Sequence, residues 1–165
     1  MSELLLPAFL TKEIAEKAMA LAAQTAMARG GLKGDTFHIV MIVPAMEYES
    51  GKFPNYPLQA HVLAEYTHGD RDTWRRDYAN IAQCKALQLW HKRNFGGTDS
   101  VAHLIIKGDT HYWGGVRREE IAVACSGVDS EDDKMISGIT ADISIAMAYK
   151  ARNAWRIAHP DTDFT

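Results

Sequence analysis

The stretch 114–133 constrains the fold more than any other part of the chain. It reads Gly-Gly-Val-Arg-Arg-Glu-Glu, then Ile-Ala-Val-Ala-Cys, then Ser-Gly-Val-Asp-Ser-Glu-Asp-Asp. A glycine turn, a short apolar run, a second turn and an acidic helix start follow one another directly. The run 120–125 has the length and apolar content of a buried strand. Asp129 or Ser130 caps the helix behind it, and Glu131, Asp132 and Asp133 occupy its first turn, where carboxylates suit the helix dipole. Ile136, Ile139, Ile143, Met147 and Ala151 recur at helical spacing as its buried stripe. Pro160 ends any helix there. Ser126-Gly127 turns the chain from the strand into the helix.

The rest of the chain supplies partners for this unit. Thr11 is a helix N-cap, and Ile14, Ala18, Leu21, Ala22 and Thr25 form a stripe that Gly30-Gly31 ends, giving a helix over 11–29. Residues 37–44 are an apolar, β-branched run that predicts a buried strand. Residues 47–57, with Gly51, Pro54, Asn55 and Pro57, predict a loop. Near-alternation over 58–67 predicts a second strand, broken at His68-Gly69-Asp70. Asp72 or Thr73 caps a second helix reaching about residue 95, stopped by Gly96-Gly97, with Trp74, Tyr78, Ile81, Ala82 and Leu89 on its apolar side. Residues 101–106 predict a third strand, Lys107-Gly108-Asp109 a turn, and 111–116 an extended segment. Helix, two strands, helix, strands, helix with short connections make an α+β domain, an antiparallel sheet of about five strands with helices on its faces. A chain of 165 residues suits one domain.

Composition narrows the function. A net charge of −3 argues against a nucleic-acid partner. Arg71, Arg75 and Arg76 are interleaved with Asp70, Asp72 and Asp77 and read as a mixed solvated surface. Cys84 and Cys125 are far apart and read as small buried hydrophobes in a reducing compartment. The first ten residues lack a basic region, and no stretch approaches the roughly 18 apolar residues of a membrane span. A cytoplasmic protein without a membrane partner is expected. The seven histidines, His38, His61, His68, His91, His103, His111 and His159, show no metal-ligand spacing, so no metal site is expected.

Two places can carry chemistry. Lys85 falls on the apolar stripe of the second helix. Beside a pocket, desolvation would make it a base or a nucleophile; otherwise it is a salt-bridged or snorkelling lysine. The segment Tyr112-Trp113-Gly114-Gly115-Val116-Arg117-Arg118 sets an aromatic wall beside glycines that admit close backbone approach and arginines that can clamp an anion. The alternative is a tight turn with surface arginines. Ser126 is not in a nucleophile elbow.

Several motifs together resemble the GlcG/HbpS (haem-degrading-protein-like) family: Thr11, Glu13 and Ala15 in T-x-E-x-A, Ala82-Gln83-Cys84-Lys85-Ala86 in A-x-x-K-A, then Gly114-Gly115-Val116, the strand 121–124, Ser126-Gly127 and Asp133. Their order and approximate spacing hold over nearly the whole chain. The resemblance implies a profilin-like fold, homo-oligomers, and haem or a corrinoid as ligand; if haem binds, His111 or Tyr112 beside the glycine loop is the candidate axial ligand. The chain departs from the family pattern in the long 44–57 segment, in Arg117 where proline is usual, and in a short 96–100 loop. In haem-binding relatives that loop helps form the pocket. These departures favour a small anionic metabolite, bound near the glycine loop by Tyr112, Trp113, Gly114, Gly115 and Arg118. Lys85 and Arg117 would serve cofactor-free isomerase or lyase chemistry. A haem- or corrinoid-binding protein and a non-catalytic accessory oligomer are the alternatives.

Overall fold

A computed structural model describes residues 3–94 and 102–165. The chain runs β1 (Glu3–Leu5), α1 (Lys12–Arg29), β2 (Phe37–Tyr48), β3 (Leu58–His68), α2 (Tyr78–Trp90), β4 (Gly115–Arg118), β5 (Ile121–Ser126) and α3 (Ser130–Ala158), with short 3₁₀ turns at Arg71–Thr73 and Ala102–Leu104. The five strands form one sheet whose pairings are all antiparallel. The architecture is the expected α+β type and is consistent with a profilin-like fold.

β2 is the spine of the sheet. One edge carries β3 along nearly its full length; the other carries β5 at residues 38–42 and β1 at residues 46–48. β4 pairs outside β5. Strand alternation then sorts the side chains. Phe37, Ile39, Met41, Val43, Val123 and Cys125 face α1 and α3. Val40, Ile42, Ala122 and Ala124 face Ala82, Ala86 and Leu89 of α2. A bulge between Met41 and Ile42 lets the neighbours Leu63 and Ala64 both join the α1/α3 side.

α1 keeps its expected bounds: Thr11 Oγ1 accepts from the Ile14 N–H (3.3 Å), and Gly30 ends the helix at φ 74°. β2 runs four residues past the expected Pro44, and β1, unforeseen in the sequence, pairs with that extension. The last helix buries a different stripe from the one expected. Ile136 is fully buried, whereas Ile139, Ile143, Met147 and Ala151 are half-buried. Ser137, Gly138, Thr140, Ala141 and Ser144 are buried instead. Ser137 and Thr140 donate their hydroxyls to the carbonyls of Asp133 (2.6 Å) and Ile136 (2.9 Å), which removes the penalty of burying them.

Two expectations fail for identifiable reasons. The second helix starts at Tyr78, because Asp77 accepts from the Asn80 N–H (3.1 Å) and Asp70 caps the separate turn Arg71–Thr73. Trp74, Arg75 and Arg76 therefore lie in a non-helical connection. The helix stops at Trp90, with Lys92 in the left-handed region (φ 57°); the expected stop at Gly96-Gly97 lies outside the described residues. The expected third strand over 101–106 is, from Ala102 to Leu104, a 3₁₀ turn, and Val101 lies outside the described residues. Side chains claim the backbone groups a ladder would use. Arg93 donates to the Leu104 carbonyl (3.1 Å) and pairs with Asp109, whose carboxylate accepts from the Ile106 N–H (2.8 Å).

Candidate functional site

Lys85 is the second-largest fully buried side chain among the described residues, 1% exposed. It projects from α2, and its Nζ donates to Asp133 Oδ2 (2.8 Å) and to the Cys125 carbonyl at the end of β5 (2.9 Å). Asp133 stands in the first turn of α3, on the far side of the sheet. The pair thus joins the two helical layers around the end of β5. Asp133 Oδ1 also accepts from the Val128 N–H (3.3 Å), so this acid, rather than Asp129, orders the backbone ahead of the helix. Asp129 and Asp132 turn outward to Lys33 (3.2 Å) and Arg29 (2.7 Å).

Burial pushes the Asp133 carboxyl up to about 6, against the pull of Lys85 and of the Val128 N–H. Desolvating a carboxylate costs more than one cation and one amide return. Burial, reinforced by Asp133, also drives the Cys125 thiol well up. Cys84, half-buried, is raised by burial too, so neither cysteine is an activated thiol.

The pair opens onto a cavity of about 440 Å³ whose walls include Arg75, Arg76, Tyr78, Tyr112, Ser126 and Val128. That volume lies in the range of small-molecule sites. Both arginines are exposed, and no acid pairs with either among the described residues. Arg76 sits over the Tyr112 ring, 5.4 Å from its centroid, so the aromatic wall foreseen at Tyr112 meets an arginine that had read as ordinary surface. The backbone of Gly127, Val128 and Ser130 adds the positive end of α3. Positive charge therefore surrounds one buried acid.

Gly114 and Gly115 are not among the cavity's lining residues and pack closely against protein. A Cβ on Gly114 would stand 2.6 Å from Asp133 Cβ and 2.7 Å from the Ser130 carbonyl oxygen, at φ 115°. One on Gly115 would stand 2.7 Å from Leu89 Cδ1. The glycines let the strand press against α2 and the start of α3, which fixes Asp133. Gln88 holds the same segment: its amide donates to the Thr110 carbonyl and accepts from the Thr110 N–H, both at 3.3 Å.

Of the other sequence candidates, Trp113 is half-buried and His111 exposed, and neither is among the cavity's lining residues. Arg117 and Arg118 are adjacent on β4 and so point to opposite faces. Arg117 pairs with Glu120; Arg118 reaches Asp142 of α3 (3.3 Å). Neither lines the cavity. Among the described residues no group of His, Cys, Asp and Glu could hold a metal ion, and no helix is long and apolar enough to cross a membrane.

A second buried polar cluster lies beneath the connection that carries the arginines. His38 Nδ1 is 2.9 Å from Thr67 Oγ1 and its Nε2 3.2 Å from Glu65 Oε1, which also accepts from Gln83 (2.9 Å). Trp74 packs edge-on against the His38 ring and lies under the Arg71 guanidinium. Burial lowers the His38 pKa despite Glu65. Nothing in the strand pattern of 37–44 marks this histidine as the base on which Trp74 rests.

Comparison with protein-family models, with curated proteins and with solved structures returns no match.

Proposed function

We propose that this protein binds a small anionic metabolite in the Lys85–Asp133 cavity and moves a proton on it. One observation carries the reading: two acid-free arginines, the start of α3 and a buried lysine converge on a cavity floored by an acid that burial pushes up to about 6. Arg75 and Arg76 hold the ligand's carboxylate or phosphate. Asp133 takes and returns the proton, since a base is most effective near its working pH. Lys85 supplies positive charge where negative charge develops, in a site already shaped for it. This is isomerase or lyase chemistry that draws on no bound cofactor. It keeps Lys85 from the sequence reading and moves the anion clamp from Arg117 and Arg118 to Arg75 and Arg76.

The test is a thermal-shift panel of small mono- and dicarboxylates and phosphate monoesters beside their amide and alcohol analogues. The anions should raise Tm in a salt-sensitive way, and the neutral analogues should not. Equal shifts from both sets would remove the anion reading. A haem titration run in parallel should show no Soret shift; a shift would restore the tetrapyrrole alternative that the family resemblance implies.

A further inference from the structure

We propose that the substrate class is a small 2-oxo or aldehyde acid, with Lys85 condensing on its carbonyl as an iminium. This deepens the function proposed above and rests on the cavity being the anion site. Three observations support it. Lys85 is buried yet lines the cavity, and it is the one lysine among the lining residues. Both groups it donates to, Asp133 and the Cys125 carbonyl, sit at the strand end and helix start, which fixes the nitrogen at the cavity floor. And a buried ion pair adds little net stability compared with apolar residues of the same volume, so stability alone does not account for one opening onto a cavity.

The chemistry balances without an outside reagent. Asp133, 2.8 Å away, takes a proton from the Lys85 ammonium, leaving a neutral amine and a neutral acid. The conversion removes two buried charges together, and the burial that raises the affinity of Asp133 for a proton lowers its cost. The amine adds to the carbonyl carbon, and a proton passes from nitrogen to the carbonyl oxygen to give a carbinolamine. Asp133 returns its proton to that hydroxyl, which leaves as water. The net change is ammonium plus carbonyl to iminium plus water, with Asp133 again a carboxylate. The iminium draws electrons from the adjacent carbon, and the same carboxylate can then remove a proton there. Arg75 and Arg76 hold the acid group at the mouth, which aims the carbonyl inward.

The experiment uses the intact protein with pyruvate and glyoxylate as probes and sodium borohydride to reduce any iminium. Malonate, which has no ketone or aldehyde, is titrated alongside by calorimetry. The expected result is a reduced adduct on Lys85 alone. It would be read as loss of tryptic cleavage at that site and a peptide spanning residues 77–92 that carries the probe's mass. Lys85→Arg, which keeps a cation facing Asp133, should abolish trapping, with circular dichroism confirming that the variant is folded. Asp133→Asn should slow trapping at least tenfold. Malonate binding without any oxo-acid adduct, or adducts spread over surface lysines, would overturn the iminium and leave the anion site standing. Absence of binding by malonate and by the oxo acids would overturn both.

Discussion

On the face covered by α1 and α3, the sheet's buried contributions are all apolar, and they meet an alanine-rich helix: Ala15, Ala18, Ala22, Ala23 and Ala26. On the opposite face, α2 and the sheet bury His38, Lys85 and Gln88 beside a smaller apolar set. The first face holds the fold together through close packing. The second is hydrogen-bonded, opens onto the cavity, and gives up part of its apolar burial to hold ionisable groups. Among the described residues the two meet around the end of β5, where Lys85 from one side grips Asp133 from the other. A protein that needed only a fold could have built both faces alike.

The comparison breaks first at the pair. Lys85→Met leaves a buried acid without its cation and should cost about 3–5 kcal/mol in urea unfolding. Joining it to Asp133→Leu should recover most of that loss, and a mild single variant would mean the pair is solvated. On the other face, Ile136→Ala should cost about 2–5 kcal/mol through an unfilled cavity. Its malonate affinity, measured by calorimetry below the unfolding transition, should match wild type. Gly114→Ala combines an unfavourable φ with a Cβ pressed onto Asp133 and should cost about 1–3 kcal/mol, with ligand affinity lost as well.

Acid titration separates the two buried polar clusters by sign. His38 has a lowered pKa in the folded protein, so its contribution is present above its ordinary value of 6.5 and is lost as pH falls. Asp133 is raised from 3.8 to about 6, so its contribution is full below 3.8 and is lost as pH rises through 6. Between those values acidification should therefore weaken the fold through His38 and strengthen it through Asp133. Relative to wild type, His38→Asn should flatten the loss of stability on acidification and Asp133→Asn should steepen it, as read by unfolding free energy against pH. The smallest effect belongs to Arg118→Ala, which removes one exposed ion pair worth about 0–1 kcal/mol and should leave ligand affinity unchanged.

The fold was largely legible in the sequence because its signals are local. Thr11 and Gly30 bound α1, and the alternation of 58–67 and the apolar run before Ser126 predict β3 and β5. The α2 start was harder, since Asp70, Asp72, Thr73 and Asp77 all have cap chemistry and tertiary packing chose between them. The same choice hid Arg75 and Arg76, which only a non-helical connection carries to the cavity. Lys85 stood out because a lysine on an apolar stripe needs a partner; that the partner is Asp133 depends on two helices from opposite faces meeting. Arg117 and Arg118 could have been separated from the sequence alone, since neighbours on a strand point apart. Gly114 and Gly115 mark a close approach in the sequence, and what they approach is α3 and Leu89.

The cavity claim is tested most directly by titrating malonate into wild type, the Arg75→Ala/Arg76→Ala double variant and Arg118→Ala by calorimetry at fixed ionic strength. An anion site walled by Arg75 and Arg76 predicts at least tenfold weaker binding in the double variant, since charged hydrogen bonds contribute about 1.5–3 kcal/mol each, and wild-type binding in Arg118→Ala. Unchanged affinity in the double variant, or a loss confined to Arg118→Ala, would contradict it and return the clamp to β4.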